Sequence, residues 1–325
     1  MPELDPAIIS WQHRITELSA DLPDLGSGDL SVQRAARTRL ADQLTAEFGL
    51  PADPRVTIDE IALPGSTGPT YARRYRPTAA APTAALPTQL FLHGGGFLFG
   101  SPRELVNDQL LSRRSARTGI QIISLAYGLA PEHPYPVGRN DALAALTHLA
   151  DKASELGIDP DRLGLGGNSA GASTVTSAAL AVTLGIVDAP RAHHLMLEVP
   201  AGSLRVDPAE VSVEAQAELR AILAAYLPGG EVDAAASPAD APSLKGMPST
   251  TVITAEHDQL RPGAVQLVRR LEADGVPTSW HDMPGHVHAS CFLTAVLPGA
   301  RDWQGVLVGE LRTTYNSHPF ETVEN

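Results

Sequence analysis

The spacing of apolar residues changes along this chain, and each change predicts a different element. Over residues 31–48, SVQRAARTRLADQLTAEF, apolar positions recur at helical spacing, and Gly49 and Pro51 follow as stop signals. The first 50 residues therefore predict helix. RVTIDEIAL and TYARRYRP then alternate in character on either side of the turn-rich PGSTGP, which predicts an antiparallel hairpin. Beyond the Ala/Pro-rich TAAAPTAALP come short apolar runs, TQLFLHGG, IQIISLAY, RLGLGGNS, HLMLEVP, STTVITAEHD and PTSWHDM. Helical stretches at 139–156, 169–184 and 262–273 separate them, and 298–314 closes the chain. Short apolar strands alternating with helices imply an α/β fold, a parallel sheet covered on both faces. Residues 203–248 break this rhythm with a helical segment, PAEVSVEAQAELRAILAAYL, and a Pro/Ala/Asp-rich loop, which predicts an insertion over the carboxyl edge of the sheet.

Composition narrows the function classes. The 325 residues, 43% hydrophobic and 19% charged, suit a globular protein. Length alone would allow two domains, but α/β folds often run this long as one, and a single domain, 1–325, is expected. A formal charge of −13 and no Lys/Arg run argue against nucleic acid and against an anionic membrane surface. Cys291 is the one cysteine, so no internal disulfide can form. No run approaches the roughly 20 apolar residues of a membrane span, and the first residues lack the pattern of a secretory signal, so a cytoplasmic setting is expected.

Candidate chemistry sits at strand ends. In LGLGGNSAGAS, Ser169 stands between Gly167 and Gly171, after a strand and before a helix, the context of a G-x-S-x-G nucleophile elbow. Glycines two positions away on each side let neighbouring backbone approach a strained serine. FLHGGGFLFG ends another strand with Gly94, Gly95 and Gly96, whose unobstructed N–H groups, with that of Ala170, could hold a developing oxyanion. His93 is expected to anchor that loop by hydrogen bonds. In MPGHVHAS, His286 and His288 stand one residue apart, which raises a zinc reading with His281 or Asp282 as a further ligand against a serine-base reading.

Together, HGGGF, the elbow, YGLAPEHPYP, Ser237-Pro238 before LKGMP, EHDQLR and PGHVH occur in an order that resembles the hormone-sensitive-lipase-like, bacterial family IV esterases of the α/β-hydrolase fold. The resemblance spans about residues 55–292. It implies a mostly parallel eight-stranded sheet with helices on both faces and a helical cap from 1–50 and 203–235. It implies Ser169 as nucleophile, Asp258 as acid, His288 as base, and Gly94, Gly95 and Ala170 as oxyanion donors, with no metal and no cofactor. Glu256 is a rival acid at the same strand end, but the D-x-L-R pattern selects Asp258. Asn168, Ala172 and Ala289-Ser290 depart from the family pattern around the site without removing a triad member.

The expected function is hydrolysis of small carboxylic esters with short to medium acyl chains through an acyl-enzyme. A lyase or cyclase on the same fold, or a ligand-binding protein with a vestigial site, are the competing classes, and a homodimer is left open. Elsewhere the expectations are structural. Cys291 belongs to the core, and Glu132 is a buried hydrogen-bonded partner. His193 and His194 point apart at a surface or edge, and His286 lies at the pocket rim.

Overall fold

The computed structural model describes residues 4–204, 213–229 and 233–318. Eight strands form one sheet: β1 (Val56–Pro64), β2 (Pro69–Pro77), β3 (Leu86–Leu92), β4 (Gln121–Leu125), β5 (Ile158–Asn168), β6 (Leu195–Glu198), β7 (Thr250–Ala255) and β8 (Thr278–Met283). Their order is β1-β2-β4-β3-β5-β6-β7-β8. The β1–β2 hairpin and the β2–β4 pair are antiparallel, and every other pairing is parallel. In the hairpin, Arg74 lies opposite Asp59 and pairs with it at 2.7 Å, a partly exposed cross-strand pair that fixes register more than it stabilises. The central parallel strands are rich in apolar residues because helices cover both faces. β3, β4, β6 and β7 are buried along their whole length.

The helices are α1 (Pro6–Ala20), α2 (Leu30–Phe48), α3 (Leu105–Thr118), α4 (Val137–Asp151), α5 (Ala153–Leu156), α6 (Ala170–Thr183), α7 (Val213–Tyr226), α8 (Arg261–Ala273) and α9 (Pro298–Tyr315). The sequence expectation of a single helix over 139–156 is broken at Lys152, and the helix expected from Ser169 begins one residue later. One helix, α3, is not foreseen by the pattern. Its buried residues are largely polar (Asn107, Gln109, Ser112, Arg114, Ser115 and Thr118), so its apolar periodicity is weak. Part of the helical segment expected at 208–227 lies outside the described residues, and α7 is the part within them. Among the described residues no helix is long and apolar enough to cross a membrane.

Two large apolar clusters flank the sheet. One packs α4, α6 and α8 residues such as Leu146, Val175 and Leu267 against Leu90, Leu165 and Leu197. The other packs Trp303, Leu307 and Leu311 of α9 against Phe91, Met196 and Ile253. α6 is built of small residues, buried from Ala170 to Ala181, which lets it lie close against β5 and β6.

The N-terminal helices are fastened by their ends. Asp5 caps α1 through Ala7 N–H at 2.8 Å, and Asp29 caps α2 through Ser31 N–H at 2.8 Å. Ile8 and Phe48 are buried against Leu293, Leu297 and Ala300, so α1 and α2 rest on the stretch that follows β8. Asp42 of α2 also accepts Leu105 N–H at 2.8 Å, capping α3 from a different helix.

Candidate active site

Because β3 and β5 to β8 run parallel, their carboxyl ends fall on one edge of the sheet, where open α/β sheets place their ligands. Gly94 and Gly95 follow β3, Ser169 follows β5, Asp258 follows β7 and His288 follows β8. The topology thus brings every sequence-nominated site residue to that edge.

Ser169 has φ 52° and ψ −119°, a strained conformation for a residue with a side chain. Its N–H donates to Glu198 O at 2.8 Å, which ties the turn to β6. The turn is possible only with small neighbours, because a Cβ at Gly171 would run into the Leu92 carbonyl. Ala170 is the first residue of α6, so its N–H has no acceptor within the helix and is free to face a developing negative charge.

The glycine loop is packed directly against this turn. A Cβ on Gly94 would lie 3.4 Å from that of Ser169. Gly95, at φ +125°, makes the sharp bend that any side chain would drive into the Phe99 carbonyl. His93 behaves as expected, as an anchor: it is 3% exposed, with Nδ1 2.7 Å from Gly94 O. A carbonyl oxygen only accepts, so Nδ1 carries the proton. Burial pushes the imidazole down to about 4, which keeps it neutral. Tyr127 adds a hydroxyl hydrogen bond to His93 O at 2.8 Å.

Asp258 is buried, with Oδ1 accepting Leu260 N–H at 2.9 Å and Oδ2 lying 2.6 Å from His288 Nδ1. With the carboxylate as acceptor, Nδ1 is the donor and Nε2 is left with its lone pair. The rival Glu256 turns away and accepts Gly285 N–H at 2.8 Å. His257 N–H donates to His286 O at 2.9 Å, so the Asp258 turn and the His288 loop are joined by backbone.

His286 is not at the pocket rim, as the sequence suggests. It is 2% exposed, with Nδ1 2.7 Å from Ser290 Oγ and its ring 5.2 Å edge-on from Trp303. The other zinc candidates are scattered as well. His281 meets Glu310 at 2.8 Å, and Asp282 meets Arg261 at 2.6 Å. Among the described residues no group of three or more His, Cys, Asp and Glu could hold a metal ion.

Two further expectations need correcting. His194 is buried between Ser249 and Thr251 hydroxyls at 3.0 and 3.1 Å, while His193 is exposed, so the two do point apart but only one reaches the surface. Glu132 has a half-exposed side chain rather than a buried one, and its partner is Arg34 of α2. Cys291 is a core residue, as expected, and burial pushes its thiol up.

Two layers lie against the glycine loop. Arg34 donates to Leu98 O at 2.8 Å, Ala130 O at 2.9 Å and both Glu132 oxygens, tying α2 to the loop. From the other layer, Tyr226 of α7 stacks on Phe97 with centroids 3.9 Å apart, and both are buried in one cluster with Ala170. Ile222 lies 3.3 Å from where a Gly96 Cβ would be. Asp233 then joins Tyr135 and the buried Arg139, each at 2.5 Å. Nothing in the sequence pattern points to Arg34, Tyr226 or Asp233, because their partners are distant in the chain.

A family model described as alpha/beta hydrolase fold matches residues 89–292. The chain belongs to the α/β-hydrolase fold family. Esterase LipI of Mycobacterium tuberculosis is 28% identical over 261 residues, covering 78% of this chain and 80% of that one. Ethyl acetate hydrolase of Pseudomonas putida is 31% identical over 246 residues, covering 73% and 76%. The hyperthermophilic esterase of Pyrobaculum calidifontis superposes with a TM-score of 0.82 at 27% identity, over 96% of this chain and 99% of that chain. The eight-stranded sheet is therefore that of an α/β-hydrolase, and the structural match extends over nearly the whole chain.

Proposed function

We propose that this α/β-hydrolase is a serine esterase cleaving carboxylic esters through an acyl-enzyme on Ser169. The observation that carries the reading is the strained Ser169 at the edge of the sheet that also bears the Asp258–His288 pair at 2.6 Å. His288 Nε2 takes the Ser169 proton as Oγ attacks the ester carbonyl. The tetrahedral oxygen accepts hydrogen bonds from the N–H groups of Gly94, Gly95 and Ala170. Collapse expels the alcohol, which receives the proton from His288, and water activated by the same imidazole then releases the acid. Asp258 holds the Nδ1–H tautomer and stabilises the imidazolium. The named activities of the relatives, an esterase and an ethyl acetate hydrolase, favour hydrolysis over a lyase, a cyclase or a binding protein.

In this reading α1, α2 and α7 form a cap on one domain, and Phe97, Tyr226 and Ile222 pack beside Ala170. The relative named ethyl acetate hydrolase supports short to medium acyl groups on small esters. A reduced, buried Cys291 suits a cytoplasmic setting.

The test is a fluorophosphonate probe with a series of p-nitrophenyl esters. Wild type should label once, at Ser169, and turn over short esters fastest. Ser169→Ala should abolish both while circular dichroism stays unchanged. Turnover retained in the folded Ser169→Ala protein would overturn the proposal.

A further inference from the structure

The apolar strand run HLMLEVP contains one charged residue, Glu198, and its side chain is 1% exposed. A carboxylate taken so far from water needs several partners. It has them. Arg114 of α3, 3% exposed, donates to both oxygens at 2.6 and 2.9 Å, and Trp303 Nε1 donates at 3.2 Å. The guanidinium's third edge donates from Nε to Gln304 Oε1 at 2.9 Å, and Gln304 Nε2 donates onward to Cys291 O at 3.3 Å.

Both ends of this chain of bonds lie at the proposed machinery. At one end, Glu198 O accepts the Ser169 N–H at 2.8 Å, so the residue that carries the buried carboxylate also carries the nucleophile's backbone tether. At the other end, Cys291 belongs to the tight turn Ser290–Phe292, which begins two residues after His288 and is entered through Ala289 at φ 68°. The Ser169 and His288 segments follow β5 and β8, with β6 and β7 between them. The ladder alone therefore leaves their relative height to the loops.

We propose that Arg114, Glu198 and Gln304 are positioning residues, a buried brace that sets the height of the His288 loop against the Ser169 turn. This rests on the reading of Ser169 as nucleophile and His288 as base. A misplacement of about 1 Å between reacting groups can lower a rate about a hundredfold, so removing the link that bears directly on the base loop should act on the chemical step. Phe97 and Tyr226, which pack beside Ala170, take no part in this network, so KM should stay in place.

Gln304→Leu is the decisive variant, because it cuts the link to Cys291 O while leaving the two Arg114–Glu198 bonds. Glu198→Gln is the second. Sites are first counted by fluorophosphonate titration, and kcat per titrated site is then measured on a short p-nitrophenyl ester, alongside the phosphonylation rate and a Ser169→Ala control. Gln304→Leu should lose about 10- to 100-fold in kcat per site with KM within about twofold, and phosphonylation should slow in parallel. The double variant should be little worse than the worse single one, since both break one brace. If Glu198→Gln does not fold, Gln304→Leu decides alone. Fewer titratable sites with normal kcat per site, or a rise in KM alone, would overturn the brace and leave an ordinary structural network. A Ser169→Ala protein that still turned over ester would instead overturn the underlying reading.

Discussion

Ser169 and Arg34 both bear on the same glycine loop, and they are held in contrasting ways. Around Ser169 the determinants are backbone: a φ of 52°, an N–H to Glu198 O and a Gly171 that admits the Leu92 carbonyl. These contacts follow from strand order and leave little freedom. Arg34 reaches the loop from α2 with a long side chain, 28% exposed, whose bonds end on two carbonyls and the half-exposed Glu132. The strand-borne half of the site is set by the fold itself. The half proposed as the cap is fastened by side chains that water can compete for, so it should yield first to mutation and to pH.

The largest effects should fall on the strand-borne half and should separate its two histidines. His288→Ala is expected to lower kcat by several orders of magnitude, in the range that loss of a triad member costs, with the melting temperature little changed. His286→Ala should do the reverse. It removes a ring packed on Trp303 and the 2.7 Å contact to Ser290, so it should destabilise by about 2 kcal/mol while kcat per titrated site stays within about tenfold. Equal collapse per site in both variants would erase the distinction, and inactivation by EDTA that zinc restores would move the chemistry elsewhere.

A smaller effect should mark the cap. Arg34→Ala is expected to lower kcat/KM by about tenfold on short esters, because the Leu98 and Ala130 carbonyls lose their shared donor and the loop that presents Gly94 and Gly95 loosens. The melting temperature should fall by only a few degrees, since the pair with Glu132 is partly exposed to water. Deleting residues 1–45 should lower activity more severely than it disturbs the sheet. Unchanged kinetics in either protein would show that α2 plays no part in the site.

The same contrast separates what is legible in the amino-acid sequence from what is not. The strands, the Ser169 elbow and the glycine loop are local patterns of glycine, serine and apolar runs, and the chain carries them on its face. The Asp258–His288 pairing is nominated by resemblance, and the geometry joins that pair while turning Glu256 away. α3 escapes because most of its buried residues, among them Asn107, Gln109, Ser112, Arg114 and Ser115, read as solvent-facing until their partners are known. His286 and His194 are misplaced by sequence reasoning for a related reason. A histidine can be buried cheaply when a hydroxyl meets it, and Ser290, Ser249 and Thr251 supply those hydroxyls. Glu198 is the overlooked clue, a lone carboxylate within an apolar strand that implies a buried cation somewhere else in the chain.

The smallest effect should appear as pH dependence at the seam between α2 and α3, where the cap half meets the strand-borne half. Glu104 precedes α3 without capping it, since Asp42 of α2 takes Leu105 N–H instead, and Thr38 Oγ1 lies 3.4 Å from Glu104 Oε1. Burial, and secondarily the nearby Asp42 carboxylate, push the Glu104 carboxyl up to about 7. The native state therefore binds the Glu104 proton more tightly than the unfolded chain does, where the carboxyl titrates near 4.5. Stability from this group is fully present below about 4.5 and is lost as pH rises through about 7, where folding must hold a buried negative charge beside Asp42. A glutamine in its place would be an uncharged amide at every pH, so Glu104→Gln should match wild type near pH 5 and exceed it by about 1–3 kcal/mol near pH 8.5. Denaturant unfolding at the two pH values measures the difference, and hydrogen exchange in α2 should show where it resides. An equal shift at both pH values would mean that the substitution acts through packing, and that the seam between the two halves does not titrate.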